Sequence, residues 1–569
     1  MDKFTFKIGG EAGFGIVTTG LVFAKIASRL GYHVFDYIEY PSLIRGGHNA
    51  YESVVGQEEV WCLKEKIDYL VCLNEDTFKF HKDRLGQDAI VIYDPEDFEA
   101  GQKMVGVSVP FKKILRELGG QMVMKNTIAL GAILAILGTD LIILDEIIKQ
   151  QFEKKGQAVI DFNINFAKKG FDYIIENYKD KIKPLLAERT KDEKLVVSGN
   201  DSFSLGAVIA NCGLYCAYPM TPSSSVLSTL ASWQDKAGMV VRHAEDEISV
   251  INTGLGASFA GVRSAVGTSG GGFALMVESI SYAGIAEIPI VIFLSQRPGP
   301  ATGMPTWTEQ GDLLFTVHAG HGEFPKIVLA PGDQKEMYEL TAKAFNLADI
   351  YQTPVIVMSD MLLSESHKTI RKQELDTFNA AYSLDRGKTV VTSTSPYLRY
   401  KDSDDGISPR LLPGVNGAYY QANSYEHLED SHTTEGAAER RLQVNKRSRK
   451  MMTYLVKHFA KPVVYGDLDA AKTVLVAWGS TKGVLLESQK ILKDTAIIHF
   501  NHLFPLKTED ILPLFGKDKR YILVENNSHG QFGKLLRMET GVNLEEKLLK
   551  YDGRQFWVEE IVNFVNNHG

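Results

Sequence analysis

Short apolar runs of strand character, each followed by a helix-like stretch, recur along the whole chain, and this alternation constrains the fold most. Phe4-Thr5-Phe6-Lys7-Ile8 reads as a strand that meets Gly9-Gly10-Glu11-Ala12-Gly13-Phe14-Gly15, and a helix pattern follows from Ile16 to Leu30. Further strands are expected at His33 to Ile38, Tyr69 to Leu73 and Ala89 to Tyr93. Strands separated by helices need crossover connections, so the expected fold class is α/β with parallel, doubly wound sheets.

The pattern repeats twice more. At 569 residues the chain is too long for one hydrophobic core. The first unit, 1–190, ends in a strongly charged stretch from Lys179 to Lys194, interrupted by Pro184, which reads as a linker. A second unit, 195–385, carries strand candidates at Val240 to His243, Ser264 to Val266, Ile288 to Leu294 and Pro354 to Met358. Residues 386–450 form an irregular polar excursion, too long for an ordinary connection. The last unit, 451–569, has strands at Val474 to Ala477, Thr495 to Phe500 and Tyr521 to Val524.

Composition removes several function classes. A net charge of -8 without a long basic run disfavours a nucleic-acid partner. The most apolar stretch, Ile128 to Leu144, contains Gly131, Gly138 and Asp140, and reads as a buried helix rather than a membrane span. The first residues carry no signal-peptide pattern, so a cytoplasmic protein with no membrane partner is expected. Cys62, Cys72, Cys212 and Cys216 are too few and wrongly spaced for a disulfide scaffold, a zinc site or a cluster run. They are expected to be structural thiols, and no metal site is expected in this chain.

Four segments carry candidate chemistry. In Val240-Val241-Arg242-His243-Ala244-Glu245-Asp246-Glu247 three acids bunch at a helix start. Acidic side chains favour a helix N-terminus through the macrodipole, or one of them bonds a protonated ring nitrogen of a cofactor. Thr268-Ser269-Gly270-Gly271-Gly272-Phe273 follows a strand, and its glycines suit either a tight turn or close approach to a ligand. Gln296-Arg297-Pro298-Gly299-Pro300-Ala301-Thr302-Gly303-Met304-Pro305-Thr306 puts an arginine at the carboxyl end of a strand, where open α/β sheets bind ligands. Tyr218-Pro219-Met220-Thr221-Pro222 supplies a hydroxyl in a stiff turn.

Together, in this order, the four segments resemble the pyrimidine-binding part of the 2-oxoacid:ferredoxin oxidoreductases. The resemblance continues at both ends. Gly9 to Gly15 and Tyr40-Pro41-Ser42-Leu43-Ile44-Arg45-Gly46-Gly47 are similar to the family's gamma domain. Val524-Glu525-Asn526-Asn527 and Gly530-Gln531-Phe532-Gly533 are similar to its transketolase-type C-terminal domain. Only the 386–447 excursion falls outside the likeness.

The resemblance implies an enzyme that uses thiamine diphosphate to decarboxylate a 2-oxoacid, passes electrons through [4Fe-4S] clusters to ferredoxin, and forms an acyl-CoA, reversibly. It implies that Glu247, or failing that Glu245, bonds the aminopyrimidine ring, the other acid being a plain helix start. Tyr218, Thr268, Ser269 and Gly270 would line the cofactor, while Arg297 and Thr221 would hold the substrate carboxylate. An ion pair is the structural alternative for Arg297. Gly-Asp-Gly, the family's Mg2+ and diphosphate segment, occurs nowhere; the chain has Gly466-Asp467-Leu468 and Gly311-Asp312-Leu313 instead. A smaller beta subunit is therefore expected to bring that motif, Mg2+ and the cluster cysteines, in an (alpha-beta)2 assembly served by ferredoxin and coenzyme A.

Gly9, Gly10, Gly13 and Gly15 are read as opening a helix after a strand, where coenzyme A or another nucleotide could place phosphate, or as a structural turn. Arg45-Gly46-Gly47-His48 offers packing or an interface. The run from Thr302 to Asp312 looks most like 2-oxoglutarate enzymes, against pyruvate or a branched-chain oxoacid. A non-catalytic regulatory or scaffolding subunit is the rival of another class. A dinucleotide-dependent dehydrogenase would rest on the N-terminal glycines alone.

Overall fold

The strand Lys3–Glu11 is central to the first sheet, hydrogen-bonded in parallel to Ile67–Cys72 and antiparallel to His48–Gly56. The computed structural model describes residues 3–42, 46–99, 105–189, 192–392 and 396–567. The chain forms two compact units, one of Met1–Val197, Ser366–Asp376 and Trp557–Glu559, the other of Ser198–Glu365, Thr377–Phe556 and Glu560–Gly569.

The first unit is built on an eight-stranded sheet. Its strands from Val105–Ser108 to Lys3–Glu11 run parallel, as the alternation predicts. His48–Gly56 was not expected, and it makes the sheet mixed by running antiparallel to Lys3–Glu11 and to His33–Glu39. Its central Glu52 is buried, and two cations compensate the charge. Lys7 Nζ lies 2.9 Å from Glu52 Oε2, and Arg84 reaches both carboxylate oxygens at 2.8 and 2.6 Å. The apolar stretch from Ile128 divides into buried helix, Lys125–Ile136, and the helix Ile142–Phe152. Gly131 lets Lys125–Ile136 touch the helix Gln157–Asn177: a Cβ there would lie 1.9 Å from Ala167 O. Among the described residues no helix is long and apolar enough to cross a membrane.

The second unit carries two larger sheets. One has strand order Val240–His243, Leu214–Ala217, Ser264–Thr268, Ile290–Gln296, Pro354–Asp360, Ile327–Leu329, His502–Phe504, all parallel except the last. The other has five strands around Thr473–Trp478, Thr495–Phe500 and Arg520–Glu525. Because His502–Phe504 leaves the C-terminal segment to extend the first of these sheets, segments expected as separate domains share one unit.

The 386–450 excursion contains the short pair Thr389–Val390 and Arg410–Leu411 and runs into the helix Ala437–Lys457, which crosses the boundary expected at 450. Buried ion pairs tie it to the rest of the unit, beside the buried Tyr400, Ile407 and Leu411. Asp349 is shared by Arg263, Arg386 and Arg410 at 2.9, 2.7 and 3.1 Å. Buried Glu287 is gripped by Lys446 and Lys450 at 2.7 and 2.5 Å.

Candidate active site

In the seven-stranded sheet Leu214–Ala217 lies between Val240–His243 and Ser264–Thr268. The chain leaves this strand first toward one side and then returns to the other, so the loops at its carboxyl end diverge. Such a switch point opens the crevice where parallel α/β sheets bind ligands. Flanking it are the turn 218–222, residues 244–246 leading into the helix Glu247–Phe259, and Ser269 capping the helix Gly270–Ile285, so the glycines 270–272 open a helix rather than form a turn; 297–312 follows the next strand, Ile290–Gln296.

The three bunched acids take three different places. Asp246 caps the helix Glu247–Phe259, its Oδ1 accepting the Ser249 N–H at 2.8 Å. Glu245 is exposed. Glu247 is 3% exposed, and its Oε1 finds no hydrogen-bond partner among the described residues. A Cβ on Gly272 would lie 2.3 Å from that oxygen and 2.2 Å from Thr268 Oγ1, so only glycine fits beneath the carboxylate. Ser269 Oγ, at the N-cap of the helix that starts with Gly270, is also buried without a partner among the described residues. Buried polar atoms left unpaired cost about 1–3 kcal/mol each, and here two lie at neighbouring helix starts.

The Arg297 guanidinium donates from Nη1 to Thr221 O at 2.7 Å. Thr221 thus meets Arg297 through its carbonyl. Asn200 braces this turn, donating to Pro222 O at 2.8 Å and Ser225 Oγ at 2.7 Å, and Ser223 Oγ donates to Met220 O at 2.8 Å. Tyr218 is largely open, its ring centroid 6.1 Å from that of His243. Burial pulls the Arg297 guanidinium below its ordinary range, opposed by the charge of Asp312.

Residues 297–311 form a closed loop whose base is joined by Asp312 N donating to Gln296 Oε1 at 3.0 Å. Inside it Met304 N donates to Pro298 O at 3.0 Å, and Gly303 adopts φ 52°. A Cβ there would lie 1.8 Å from Pro298 O. Asp312 packs against Gly270, where a Cβ would stand 2.5 Å from its Oδ2. Burial pushes the Asp312 carboxyl up to about 6 and that of Glu309 up to about 7.

The N-terminal glycines differ from expectation. Gly9 and Gly10 lie inside the strand Lys3–Glu11, where side chains would collide with Thr77, His48 and Leu73, so they serve packing. Gly13 and Gly15 alone shape the turn, with φ 97° and 70°, and Gly15 caps the helix Ile16–Arg29. Arg45 lies outside the described residues; Gly47 O accepts the Ala12 N–H at 3.3 Å.

Residues 205–446 match the family model described as pyruvate flavodoxin/ferredoxin oxidoreductase, thiamine diphosphate-binding, and residues 5–173 match that described as pyruvate ferredoxin/flavodoxin oxidoreductase. A 2-oxoacid:ferredoxin oxidoreductase alpha subunit from Sulfolobus is 31% identical over 98% of this chain and 96% of that one. The chain belongs to the 2-oxoacid:ferredoxin oxidoreductases. The KorA subunit of 2-oxoglutarate synthase from Archaeoglobus fulgidus is 42% identical over 66% of this oxidoreductase chain and 99% of its own. The 2-oxoglutarate:ferredoxin oxidoreductase of Magnetococcus marinus, solved with 2-oxoglutarate, coenzyme A and succinyl-CoA, superposes with a TM-score of 0.92 at 30% identity, over 100% of this chain and 99% of that one.

The residues present fit the pyrimidine part of thiamine diphosphate. The unpaired Glu247 Oε1 over a glycine floor provides an acceptor with no partner among the described residues. Sequence reasoning missed Asn200 and gave Gln296 and Gln310, which lie in the segments it singled out, no role, because each acts through contacts with residues distant in the chain. Asp312 was visible as half of a Gly-Asp pair and as the end of the run from Thr302 likened to 2-oxoglutarate enzymes, without a role of its own.

Proposed function

We propose that this subunit supplies the pyrimidine-binding face and the substrate-carboxylate site of an enzyme that converts 2-oxoglutarate and coenzyme A to succinyl-CoA and CO2, with ferredoxin as electron acceptor. A smaller subunit completes the site with the Gly-Asp-Gly segment, Mg2+ and the iron–sulfur clusters. The observation that carries this reading is the buried, unpaired Glu247 Oε1 in the switch-point crevice. The likeness to the Archaeoglobus KorA subunit and to the Magnetococcus enzyme supports 2-oxoglutarate as the substrate.

Thiamine diphosphate, when bound, supplies the nucleophilic carbon and the electron sink for decarboxylation. Glu247 Oε1 accepts a hydrogen bond from the ring and holds or releases its proton there. Thr268 Oγ1 stands with this carboxylate over Gly272, whose missing side chain gives both room. Arg297 uses one donor on Thr221 O, which orients the guanidinium, and retains others for a carboxylate. Asp312 and Glu309, uncharged at low pH, leave this anion site with less negative charge around it.

Arg297→Ala tests the site. Losing a charge-assisted donor to a desolvated anion costs on the order of 2–4 kcal/mol, or roughly thirty- to thousand-fold in kcat/KM for the oxoacid. Arg297→Lys keeps the charge but not the fork and recovers part of the loss. Wild-type kinetics in the alanine variant of the intact complex would refute the assignment.

A further inference from the structure

The motifs Val524-Glu525-Asn526-Asn527 and Gly530-Gln531 lie at the carboxyl end of Arg520–Glu525 and at the start of the helix Gln531–Thr540. No reacting group has been placed there, yet their polar atoms converge on one short segment, 310–314.

Gln310 is fully buried, and all four of its polar groups are paired with the C-terminal part of the chain. Its backbone N–H donates to Asn526 O at 2.7 Å, and its Oε1 accepts the Asn526 N–H at 3.0 Å. Its carbonyl accepts from Asn527 Nδ2 at 2.9 Å, and its Nε2 donates to Trp478 O at 2.9 Å. Gln531 grips the next residues, donating from Nε2 to Gly311 O at 2.6 Å and accepting the Leu314 N–H at 2.9 Å. Buried Glu525 organises the clamp, accepting from Asn527 Nδ2, Trp478 Nε1 and the Phe532 N–H at 2.7, 3.1 and 2.9 Å.

The same part of the chain holds the loop nearer its tip. Thr308 N donates to Gly553 O at 3.2 Å, and the Arg554 guanidinium stacks over Trp307 at 3.1 Å from the ring centroid. A loop of fifteen residues with three non-helical prolines and positive φ at Ala301 and Gly303 has no ladder of its own to set its shape. Apart from the internal bond from Met304 N to Pro298 O, its geometry is imposed from outside, at the base by Gln310 and Gln531, at Thr308 by Asp360, whose Oδ1 accepts the hydroxyl at 3.1 Å, and near the tip by Arg554. Such second-tier support decides whether a binding group stands within the fraction of an ångström that chemistry needs.

We propose that Gln310 and Gln531, gripped by the C-terminal sheet, are positioning residues that fix the 297–312 loop and thereby hold Arg297 and Asp312 in register for the oxoacid. This rests on the reading of Arg297 as the substrate-carboxylate ligand. The C-terminal sheet is, on this account, part of the substrate site without touching substrate.

The test uses the assembled, cofactor-loaded enzyme. Gln531→Met removes both side-chain bonds to the loop at similar volume, and Gln531→Glu retains only the acceptor for Leu314. We expect KM for the oxoacid to rise roughly ten- to hundred-fold in Gln531→Met with kcat changed far less, and KM for coenzyme A to stay within about twofold. Gln531→Glu should fall between it and wild type. Amide hydrogen exchange should quicken in 298–314 and not in the distant strand Leu214–Ala217, a pattern that general loosening would not produce. Gln310→Met serves if Gln531→Met does not assemble; failure of both to assemble would make the clamp purely structural and overturn the proposal. Unchanged exchange, or quickened exchange with a wild-type oxoacid KM, would also overturn it. Arg297→Ala runs in parallel. A crippling Arg297→Ala beside silent clamp variants sinks the clamp alone, whereas a silent Arg297→Ala sinks the substrate reading and the clamp's purpose with it.

Discussion

Replacing Glu247 separates a cofactor ligand from a helix-start acid by moving stability and activity in opposite directions. Asp246 already caps the helix, so Glu247 is not needed for that. Its Oε1 is buried and unpaired, and leaving such a group unsatisfied costs about 1–3 kcal/mol. Glu247→Leu removes the orphan at comparable volume, so denaturant unfolding of the isolated chain should show a stability equal to wild type or higher by up to about 3 kcal/mol. In the assembled enzyme, Glu247→Leu and the isosteric Glu247→Gln should both lower oxoacid-dependent viologen reduction by roughly hundred- to ten-thousand-fold, the usual contribution of a positioned proton-transfer group. Glu245→Gln, at an exposed position, should do neither. The reasoning fails if Glu247→Leu destabilises the chain by more than about 1 kcal/mol while Glu247→Gln keeps turnover, because that is what a structural carboxylate does.

Two further perturbations test the surroundings. Gly272→Ala should cost about 1–3 kcal/mol by thermal or denaturant unfolding, because its Cβ collides with Glu247 and Thr268, whereas Gly271→Ala, with open space around it, should not destabilise. Calorimetry should show weaker thiamine diphosphate binding in Gly272→Ala; unchanged affinity would contradict the glycine floor. Asp312 and Glu309 are held at about 6 and about 7, above the unfolded range, so the fold favours their protonated forms. That contribution is fully present below the unfolded values and is lost as pH rises through the folded ones, and an incoming oxoacid anion then meets added negative charge. KM for the oxoacid should therefore rise with pH between about 6 and about 8, and Asp312→Asn should flatten the rise. A pH-independent KM in wild type would refute it.

Much of the second unit was legible in the sequence. Val240–His243 and Thr495–Phe500 stand where the apolar runs put them, and the loops after the strands reached the crevice because parallel strands end on one side. His48–Gly56 escaped notice for a physical reason. It carries Glu52 and Ser53 in its buried stretch, which breaks the apolar run, and the cations that make this tolerable come from strands and turns elsewhere. The excursion was recognised as irregular, but the ion pairs that tie it down, such as Glu287 with Lys446 and Lys450, join residues far apart in the chain. The three acids were seen as a group, and sequence could not divide capping from orphaned burial. Gly9 and Gly10 misled because glycine in a strand that packs closely against neighbours looks the same as glycine in a ligand loop.

The most direct test of the account is the oxoacid dependence of electron transfer by this chain purified with and without its smaller partner. Viologen or ferredoxin reduction is followed with 2-oxoglutarate or pyruvate, each with and without coenzyme A and thiamine diphosphate. The account predicts no reduction by the chain alone. With the partner it predicts reduction that requires both coenzyme A and thiamine diphosphate, with a higher kcat/KM for 2-oxoglutarate than for pyruvate. Faster use of pyruvate would contradict the substrate, and reduction by the chain alone, or independent of thiamine diphosphate, would contradict the shared site itself.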